Sequence, residues 1–426
     1  MVATVGRRDQ VVAPARHAVG SRPPRHAPRT HEPRHLQGPP RHDHLRAVRP
    51  ILTAAAVLVA SATTLTTSLD ESAEQLVAES PLVPVAVAPV VEECADRASL
   101  ATRAALTLVI GLPGVTRADD PLVDLLTEVG VGGVMLRDEN LRSETQAKRL
   151  VEGLRDRLGE HLLVAVDEEG GRVTSLRAVG GSTPSARRLG RAGADEAREA
   201  GEELGELAAD LGIDWVFAPV VDLDGGPAGG VVGDRSYGDD PDDVAEVAGA
   251  FADGVRAAGV SVTVKHYPGH GAAGGDPHAV EAFDDRSRAA LLRSDIVPFD
   301  ALIEDGAEAV MVGHVTYPEV WGDLPASLTP EAYELLRDRG FGGVAITDAL
   351  GMGAVHHRWG FGVAPAMAIA AGADAVLVNQ GDRVLELHQG LVAAVELGDL
   401  GETRLDEAVA RVLALRGQDP TDILCP

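Results

Sequence analysis

Short apolar runs alternate with longer segments of helical periodicity from Leu106 onward. This alternation is typical of repeated βα units that build a parallel sheet. Eight units over about 320 residues predict an α/β protein with a (β/α)8 TIM barrel rather than an open doubly wound sheet, which usually has fewer strands. The predicted strands are Leu106–Leu112, Val131–Leu136, Leu162–Val166, Trp215–Val220, Val260–Val264, Ala309–Val312, Gly343–Ile346 and Ala373–Val378. The predicted helices include Glu144–Leu158, Ala194–Leu211, Asp242–Ala258, Pro330–Arg337, Ala364–Ala371, Arg383–Leu397 and Arg404–Leu415.

Polar residues follow five of the predicted strands, at the point where each strand ends. The C-terminal ends of barrel strands meet on one face, so these side chains are predicted to line one pocket. An acidic residue after a strand can instead cap the next helix, but capping by all of them explains the pattern less well than a common site. The residues are Asp167, Asp222, the pair Lys265 and His266, His314, and Asp348.

One segment concentrates the ionisable groups of the chain. It reads SVTVKHYPGHGAAGGDPH and ends at His278, with a β-branched run before a glycine-rich loop. The segment allows three interpretations: incidental polar residues, a metal site, or acid–base catalysis in which Asp276 orients His278. A metal site would use His266, His270, Asp276 and His278, but their spacing matches no regular zinc pattern. We therefore favour acid–base catalysis.

Lys265 is one of only two lysines in a chain that otherwise uses arginine. Together with Arg235 and Asp167 it offers a single ammonium, a planar fork of donors, and an acceptor. That mixture suits a ligand with many hydroxyl groups. No glycine-rich phosphate loop of the Walker or dinucleotide type follows a strand, so the sequence predicts no nucleotide cofactor.

Charge is distributed unevenly along the 426 residues. The formal net charge is −27, although residues 1–50 contain ten Arg and only three acidic residues. The remainder is strongly acidic, which argues against nucleic acid or anionic lipid as a partner of the folded part. Residues 1–50 are rich in Arg, His and Pro and are predicted to form a disordered leader.

An uncharged apolar segment covers residues 51–69. A basic flank before an apolar run is typical of an export signal. The sequence Ala60-Ser61-Ala62 offers a cleavage site, but the segment is also close to the ~20 residues that span a bilayer, which would suit an uncleaved anchor. We expect a signal or anchor here, a Pro-containing linker over 70–94, and an exported domain over 95–426, extracellular or held at the membrane.

The chain has two cysteines, Cys94 after the linker and Cys425 next to the last residue. An exported protein meets an oxidising compartment, so we expect a disulfide that joins the two ends of the folded domain.

Eight short motifs carry most of these polar residues. In chain order they are DEEGGRV (167–173), FAPVVDLD (217–224), GDRSYG (233–238), KHYPGHG (265–271), the Asp276-x-His278 pair, MVGHVTYP (311–318), ASLTP (326–330) and ITDALGM (346–352). Together they resemble glycoside hydrolase family 3, most of all its single-domain β-N-acetylglucosaminidases, over roughly Ser99 to Leu415. The resemblance implies a retaining mechanism, in which a carboxylate attacks the anomeric carbon and water then hydrolyses the glycosyl-enzyme.

The resemblance also implies roles for individual residues. Asp348 matches the nucleophile, His278 the general acid and base, and Asp276 the partner of His278. An imidazole suits this role because its reference pKa of about 6.5 lets it give and take a proton near neutral pH. The residues expected to bind substrate are Asp167, Arg172, Asp222, Arg235, Lys265, His266 and His314.

Three positions depart from the family's pattern. Ser175 stands where single-domain members usually carry Arg, Pro277 where Ser or Thr is usual, and Ala349 where Asp is frequent. None of the departures removes a reacting group. Ser175 leaves the identity of the bound sugar open.

The sequence therefore predicts a β-N-acetylhexosaminidase that releases terminal β-linked N-acetylglucosamine from cell-wall fragments or related glycans, without a metal or other cofactor. Its expected partners are carbohydrates, with membrane attachment only through the apolar N-terminal segment. Three alternatives stay open at this point: a β-glucosidase, a phosphorylase that transfers the sugar to phosphate, and a non-catalytic sugar-binding module.

Overall fold

The computed structural model describes residues 97–424. Its main strands are β1 (Leu108–Gly111), β2 (Gly133–Leu136), β3 (Leu163–Val166), β4 (Trp215–Val216), β5 (Ser261–Tyr267), β6 (Ala309–Val312), β7 (Val344–Thr347) and β8 (Val376–Val378). They are parallel and lie side by side in chain order, and β8 also pairs with β1. A bridge between Ile346 and Ala375 joins β7 to β8 and closes the ring. The predicted (β/α)8 barrel is confirmed.

Helices connect the strands and surround the ring. They are α1 (Leu100–Leu106), α2 (Pro121–Val129), α3 (Glu144–Leu158), α4 (Ala186–Ala192), α5 (Ala194–Asp210), α6 (Pro241–Ala257), α7 (Arg288–Arg293), α8 (Ile296–Glu304), α9 (Pro318–Trp321), α10 (Pro330–Asp338), α11 (Gly353–Ala371), α12 (Val384–Leu397), α13 (Glu402–Leu415) and α14 (Thr421–Leu424). Side chains fix several starts: Asp240 accepts hydrogen bonds from the first backbone N–H groups of α6, and Pro241 needs no acceptor there.

Successive side chains of each strand point to opposite faces of the sheet. The strands therefore contribute to two apolar layers. In β1, Leu108 and Ile110 pack outward against the helices, whereas Val109 packs with Met135 and Met311 in the layer that fills the barrel. The interior is thus a packed core, and only its upper end is free to form a cavity.

Two strands differ from the prediction. β5 continues to Tyr267 instead of ending before Lys265, because the polar side chains at its end have buried partners rather than solvent. β4 is shorter than predicted, and its regular pairing covers only Trp215–Val216. Pro219 has no N–H with which to continue the ladder, although its carbonyl still accepts the N–H of Lys265 at 3.1 Å.

Asp374 stabilises the barrel where its seventh and eighth strands meet. Its carboxylate is fully buried and accepts the N–H of Ala345 in β7 at 2.9 Å. The same carboxylate pairs with Arg337 of α10 at 2.5 Å. It also pairs with Arg404 and Arg411 of α13 at 2.6 and 3.0 Å. One acidic side chain therefore joins β7 and two helices just before β8 begins.

Several predictions fall outside the described residues. These are the leader at 1–50, the apolar segment at 51–69, the linker at 70–94, and the disulfide between Cys94 and Cys425. They stay predictions. No helix between residues 97 and 424 has the length and hydropathy needed to cross a bilayer.

We expect Asp374→Ala to lower the free energy of unfolding by about 3 kcal/mol, because it leaves three arginines without their buried partner. Urea denaturation followed by circular dichroism measures the change. Asp300→Ala is the matched control: Asp300 pairs with Arg339 at a partly exposed site, where the loss should be about 0–1 kcal/mol. Equal losses in the two variants would contradict the role of Asp374 in barrel closure.

Candidate active site

A cavity of about 120 Å³ opens at the C-terminal ends of the barrel strands. Apolar side chains from the barrel interior, among them Met135, Phe217 and Met311, form its lower part. Its polar lining comes from the ends of β2, β3, β5, β7 and β8 and from two loops. The structure therefore brings six predicted site residues into one cavity: Asp167, Arg235, Lys265, His266, His278 and Asp348.

A buried charge network forms one wall of this cavity. The Nζ atom of Lys265 lies 2.6 Å from Asp167 Oδ1 and 2.6 Å from Glu169 Oε1. Glu169 also accepts two hydrogen bonds from Arg235, at 2.5 and 2.7 Å. One Arg235 nitrogen lies 3.3 Å from His266 Nε2. These contacts hold the ammonium of Lys265 and the guanidinium of Arg235 in fixed positions without a ligand.

The network also determines which of its groups are charged. Burial alone would raise the pKa of Glu169, but the charges of Arg235 and Lys265 outweigh it and hold the pKa well below its usual range. Burial would lower the pKa of Lys265, yet Asp167 and Glu169 raise it. The carboxylate, the guanidinium and the ammonium are therefore all ionised at neutral pH.

Glu169 is a site residue that the sequence analysis missed. It lies in the DEEGGRV motif, but the run of three acidic residues does not reveal that Glu169, rather than the equally buried Glu168, contacts the cations. Its side chain is 1% exposed and contacts two cations. Glu168 points elsewhere and accepts hydrogen bonds from Thr174 and from the N–H of Leu176. The strand period, which alternates side chains between faces, is the only signal that could have separated them.

Asp348 directly follows β7 at the bottom of the cavity. Its N–H donates to Val312 in β6 at 2.9 Å, and its Oδ1 accepts the N–H of Ala349 at 2.7 Å. Burial would raise the pKa of Asp348, but His266, His314 and the hydrogen bond from Ala349 outweigh it and lower the pKa to about 2. Asp348 is therefore a half-buried carboxylate that stays ionised.

The substrate contact expected of Asp222 and His314 stays a prediction, and the structure places both residues behind those that line the cavity. Neither side chain lines the cavity. Asp222 Oδ2 lies 2.6 Å from His266 Nδ1, so it orients that ring and directs Nε2 toward Arg235. His314 bridges Ser327 Oγ at 2.7 Å and the carbonyl of Ala349 at 3.0 Å. Both residues position their neighbours.

An outer cavity of about 420 Å³ adjoins the first one and shares Asp167, Arg235 and His278 with it. Asp276 lines the outer cavity, and its Oδ1 lies 2.8 Å from His278 Nδ1. Both side chains are exposed, Asp276 by 52% and His278 by 64%. Burial would raise the pKa of Asp276, but the hydrogen bonds from His278 lower it. An ionised carboxylate thus faces the ring of His278.

Arg172 lines only the outer cavity. Its guanidinium donates to the carbonyls of Ala228, Gly230, Val231 and Val232 at 2.8–2.9 Å. These four bonds hold the glycine-rich loop that forms the outer wall. The substrate-binding role of Arg172 stays a prediction, and in the structure its donors are engaged by the backbone of this loop.

Arg137 is a second site residue that the sequence analysis missed, and it lines both cavities. It follows β2, and the register Leu136 to Val166 places it beside Asp167 on the neighbouring strand. Ser175, the departure from the family's pattern, donates its hydroxyl to the carbonyl of Asp167 at 2.7 Å. Arg137 therefore supplies a guanidinium on the side of the cavity where Ser175 supplies none.

The alternative metal site is not assembled. His266 pairs with Asp222, and His278 pairs with Asp276. Within residues 97–424, no three His, Cys, Asp or Glu side chains converge in a way that could hold a metal ion. His266 is buried at the end of β5, whereas His278 is exposed on the loop that follows.

The sequence is similar to those of known glycoside hydrolases. Residues 87–415 match the model of the glycosyl hydrolase family 3 N-terminal domain. The β-hexosaminidase LpqI of Mycobacterium tuberculosis is 37% identical over 361 residues, which cover 80% of this chain and 90% of LpqI. A β-hexosaminidase of Xylella fastidiosa is 39% identical over 280 residues, covering 64% of this chain and 82% of the relative.

Solved structures of family 3 enzymes have a similar fold. A family 3 β-N-acetylglucosaminidase from Paenibacillus superposes with a TM-score of 0.72 and 37% identity, over 75% of this chain. This chain spans only 62% of that longer protein. The structure of M. tuberculosis LpqI superposes with a TM-score of 0.70 and 36% identity, over 76% of this chain and 95% of LpqI.

The family match covers most of the chain, and the relatives are named for an enzymatic activity. A non-catalytic sugar-binding module is therefore set aside. The chain belongs to glycoside hydrolase family 3 and is an enzyme of the β-hexosaminidase kind.

Proposed function

We propose that the protein is a retaining β-N-acetylglucosaminidase in which Asp348 is the nucleophile and His278, paired with Asp276, is the general acid and base. One observation carries the proposal: an ionised, half-buried carboxylate and an exposed imidazole line the same small cavity. A retaining glycosidase needs these two groups on either side of the scissile bond.

In the first step, the carboxylate of Asp348 attacks the anomeric carbon of the bound sugar. The bond from that carbon to the leaving oxygen breaks, and this oxygen takes a proton from His278. Asp276 faces Nδ1 of the ring, so Nε2 carries the proton that is transferred, and the carboxylate stabilises the imidazolium before transfer. The products are a free alcohol and a glycosyl ester on Asp348.

In the second step, the neutral His278 takes a proton from water. The water oxygen attacks the anomeric carbon, the ester bond breaks, and its electron pair returns to Asp348. Two displacements at the same carbon retain its configuration. Water can reach His278 because its side chain is exposed. Nucleophile, acid and base are all side chains, so the proposed chemistry requires no metal.

The charge network is well suited to hold the sugar. Glu169 and Asp167 together balance the charges of Lys265 and Arg235, so the two cations can donate to hydroxyl groups without attracting a competing anion. The partly exposed Asp167 can accept from hydroxyls on the same side. Fixed donors and acceptors of this kind do not have to reorganise during the reaction.

We further propose terminal β-linked N-acetylglucosamine of cell-wall fragments or related glycans as the substrate. The Paenibacillus relative is a β-N-acetylglucosaminidase, and the outer cavity offers room for the rest of a glycan beyond His278. The basic leader and apolar segment before residue 70 support export to a compartment where such glycans occur.

We expect Asp348→Asn to lower kcat by roughly a thousandfold or more on 4-nitrophenyl β-N-acetylglucosaminide, because an amide cannot form the glycosyl ester. Circular dichroism should match that of the unaltered protein. Asp382→Asn, at a surface residue that is 73% exposed, is the control and should keep full activity. Activity of Asp348→Asn near that of the parent enzyme would exclude Asp348 as the nucleophile.

We expect His278→Ala to slow hydrolysis in proportion to the basicity of the leaving group. A natural disaccharide or a methyl glycoside needs protonation of its leaving oxygen, so its kcat/KM should fall by about 100-fold or more. A 2,4-dinitrophenyl glycoside leaves without a proton, and its kcat/KM should change little. Steady-state rates on a series of aryl and alkyl glycosides measure the dependence. Equal losses across the series would indicate that His278 only binds the substrate.

A further inference from the structure

The loop that carries His278 docks onto the N-terminus of α11. The first N–H groups of a helix have no partner within the helix, and here two of them bind the loop. The N–H of Gly353 donates to the carbonyl of His278 at 3.1 Å, and the N–H of Ala354 donates to the carbonyl of Pro277 at 3.1 Å. The backbone of the acid–base residue is thus held by a helix on the other side of the cavity mouth.

This docking leaves no space for a side chain at position 353. A Cβ atom added to Gly353 would lie 2.4 Å from the carbonyl oxygen and 2.7 Å from the carbonyl carbon of Ala279. Both are backbone atoms of the residue after His278, so a larger residue could be accommodated only if the loop moved. The backbone of Gly353 itself is helical and does not require glycine.

The residue at this docking point also lies close to Asp348 in the chain. Asp348 lies five positions before Gly353 on the same segment, and Met352 between them lines the inner cavity. The nucleophile and the dock are therefore parts of one short, well-packed segment. The side chains of Asp276 and His278 are mostly exposed, so packing of the pair itself adds little to its placement.

We propose that Gly353 is a positioning residue that sets His278 at its working distance from Asp348 by allowing the loop to approach the N-terminus of α11. The proposal rests on the proposed function, since it assumes that His278 is the proton donor. Gly353 does not touch the substrate; it acts through the loop backbone.

The variant Gly353→Ala separates placement of the loop from stability of the helix. Alanine favours a helix more than glycine does, so urea unfolding should show no loss of stability. The displaced loop should lower kcat/KM for a methyl or disaccharide substrate by about 10- to 100-fold, while the 2,4-dinitrophenyl glycoside should lose no more than about threefold. Gly342→Ala is the matched control, since nothing lies within 4 Å of a Cβ there, and it should match the parent enzyme on both substrates.

A double-mutant cycle with His278→Ala gives the decisive readout. If Gly353 acts only through His278, adding Gly353→Ala to His278→Ala should cost less than about twofold further on the disaccharide. Additive losses, equal losses on activated and unactivated substrates, unchanged kinetics, or loss of the native fold would each overturn the proposal. If His278→Ala itself showed no leaving-group dependence, the proposed function would fail instead, so the two failures are distinguishable.

Discussion

The buried contact between Glu169 and the two cations Lys265 and Arg235 is the interaction on which the rest of the site depends. An isolated charge in this position would be costly, because the protein interior solvates it poorly. Glu169 contacts both cations and is itself 1% exposed, so each charge makes burial of the others possible. The result is a rigid set of donors at the C-terminal ends of the strands, which in the proposed function bind hydroxyl groups of the sugar.

The two reacting groups are held in different ways, and the proposed chemistry needs both. Asp348 is placed by a barrel strand and is half-buried, with its charge stabilised by neighbouring histidines and a backbone N–H. His278 is carried by a loop and stays exposed to solvent. A nucleophile gains from a fixed position, whereas an acid that later acts as a base must exchange protons with water. In our proposal, docking of the loop on α11 holds the backbone of His278 in place while its side chain stays exposed.

Much of the fold could be predicted because strands and helices leave different periods in the sequence. The strands of the barrel were found near their true positions, and α3 was predicted with its observed bounds. Helix α8 was missed because Pro298 interrupts an almost wholly apolar segment, and the first half of α11 was missed because Gly360, whose backbone is not helical, separates it from the second half. Such segments are held by tertiary packing rather than by local propensity.

The candidate site shows the same division. Its members could be predicted because polar residues at strand ends converge in a barrel, as Asp167, Lys265 and Asp348 do. The hydrogen-bond partners of these residues could not be predicted, since Arg172 and Arg235 have the same chemistry but different acceptors. Arg235 meets a carboxylate, whereas Arg172 meets backbone carbonyls that only the folded loop brings together. The residue types of the site can be read from the sequence, but which groups they contact depends on the tertiary structure.

The claim that Asp348 forms a covalent bond to the sugar is tested most directly by trapping that bond. A 5-fluoro-N-acetylglucosaminyl fluoride should load the enzyme quickly and release slowly, and mass spectrometry of the digested protein should locate the adduct. If Asp348 is the nucleophile, one glycosyl group per protein is expected on the peptide that contains Asp348. A glycosyl group on another carboxylate, or turnover that releases the inverted sugar without any adduct, would contradict it.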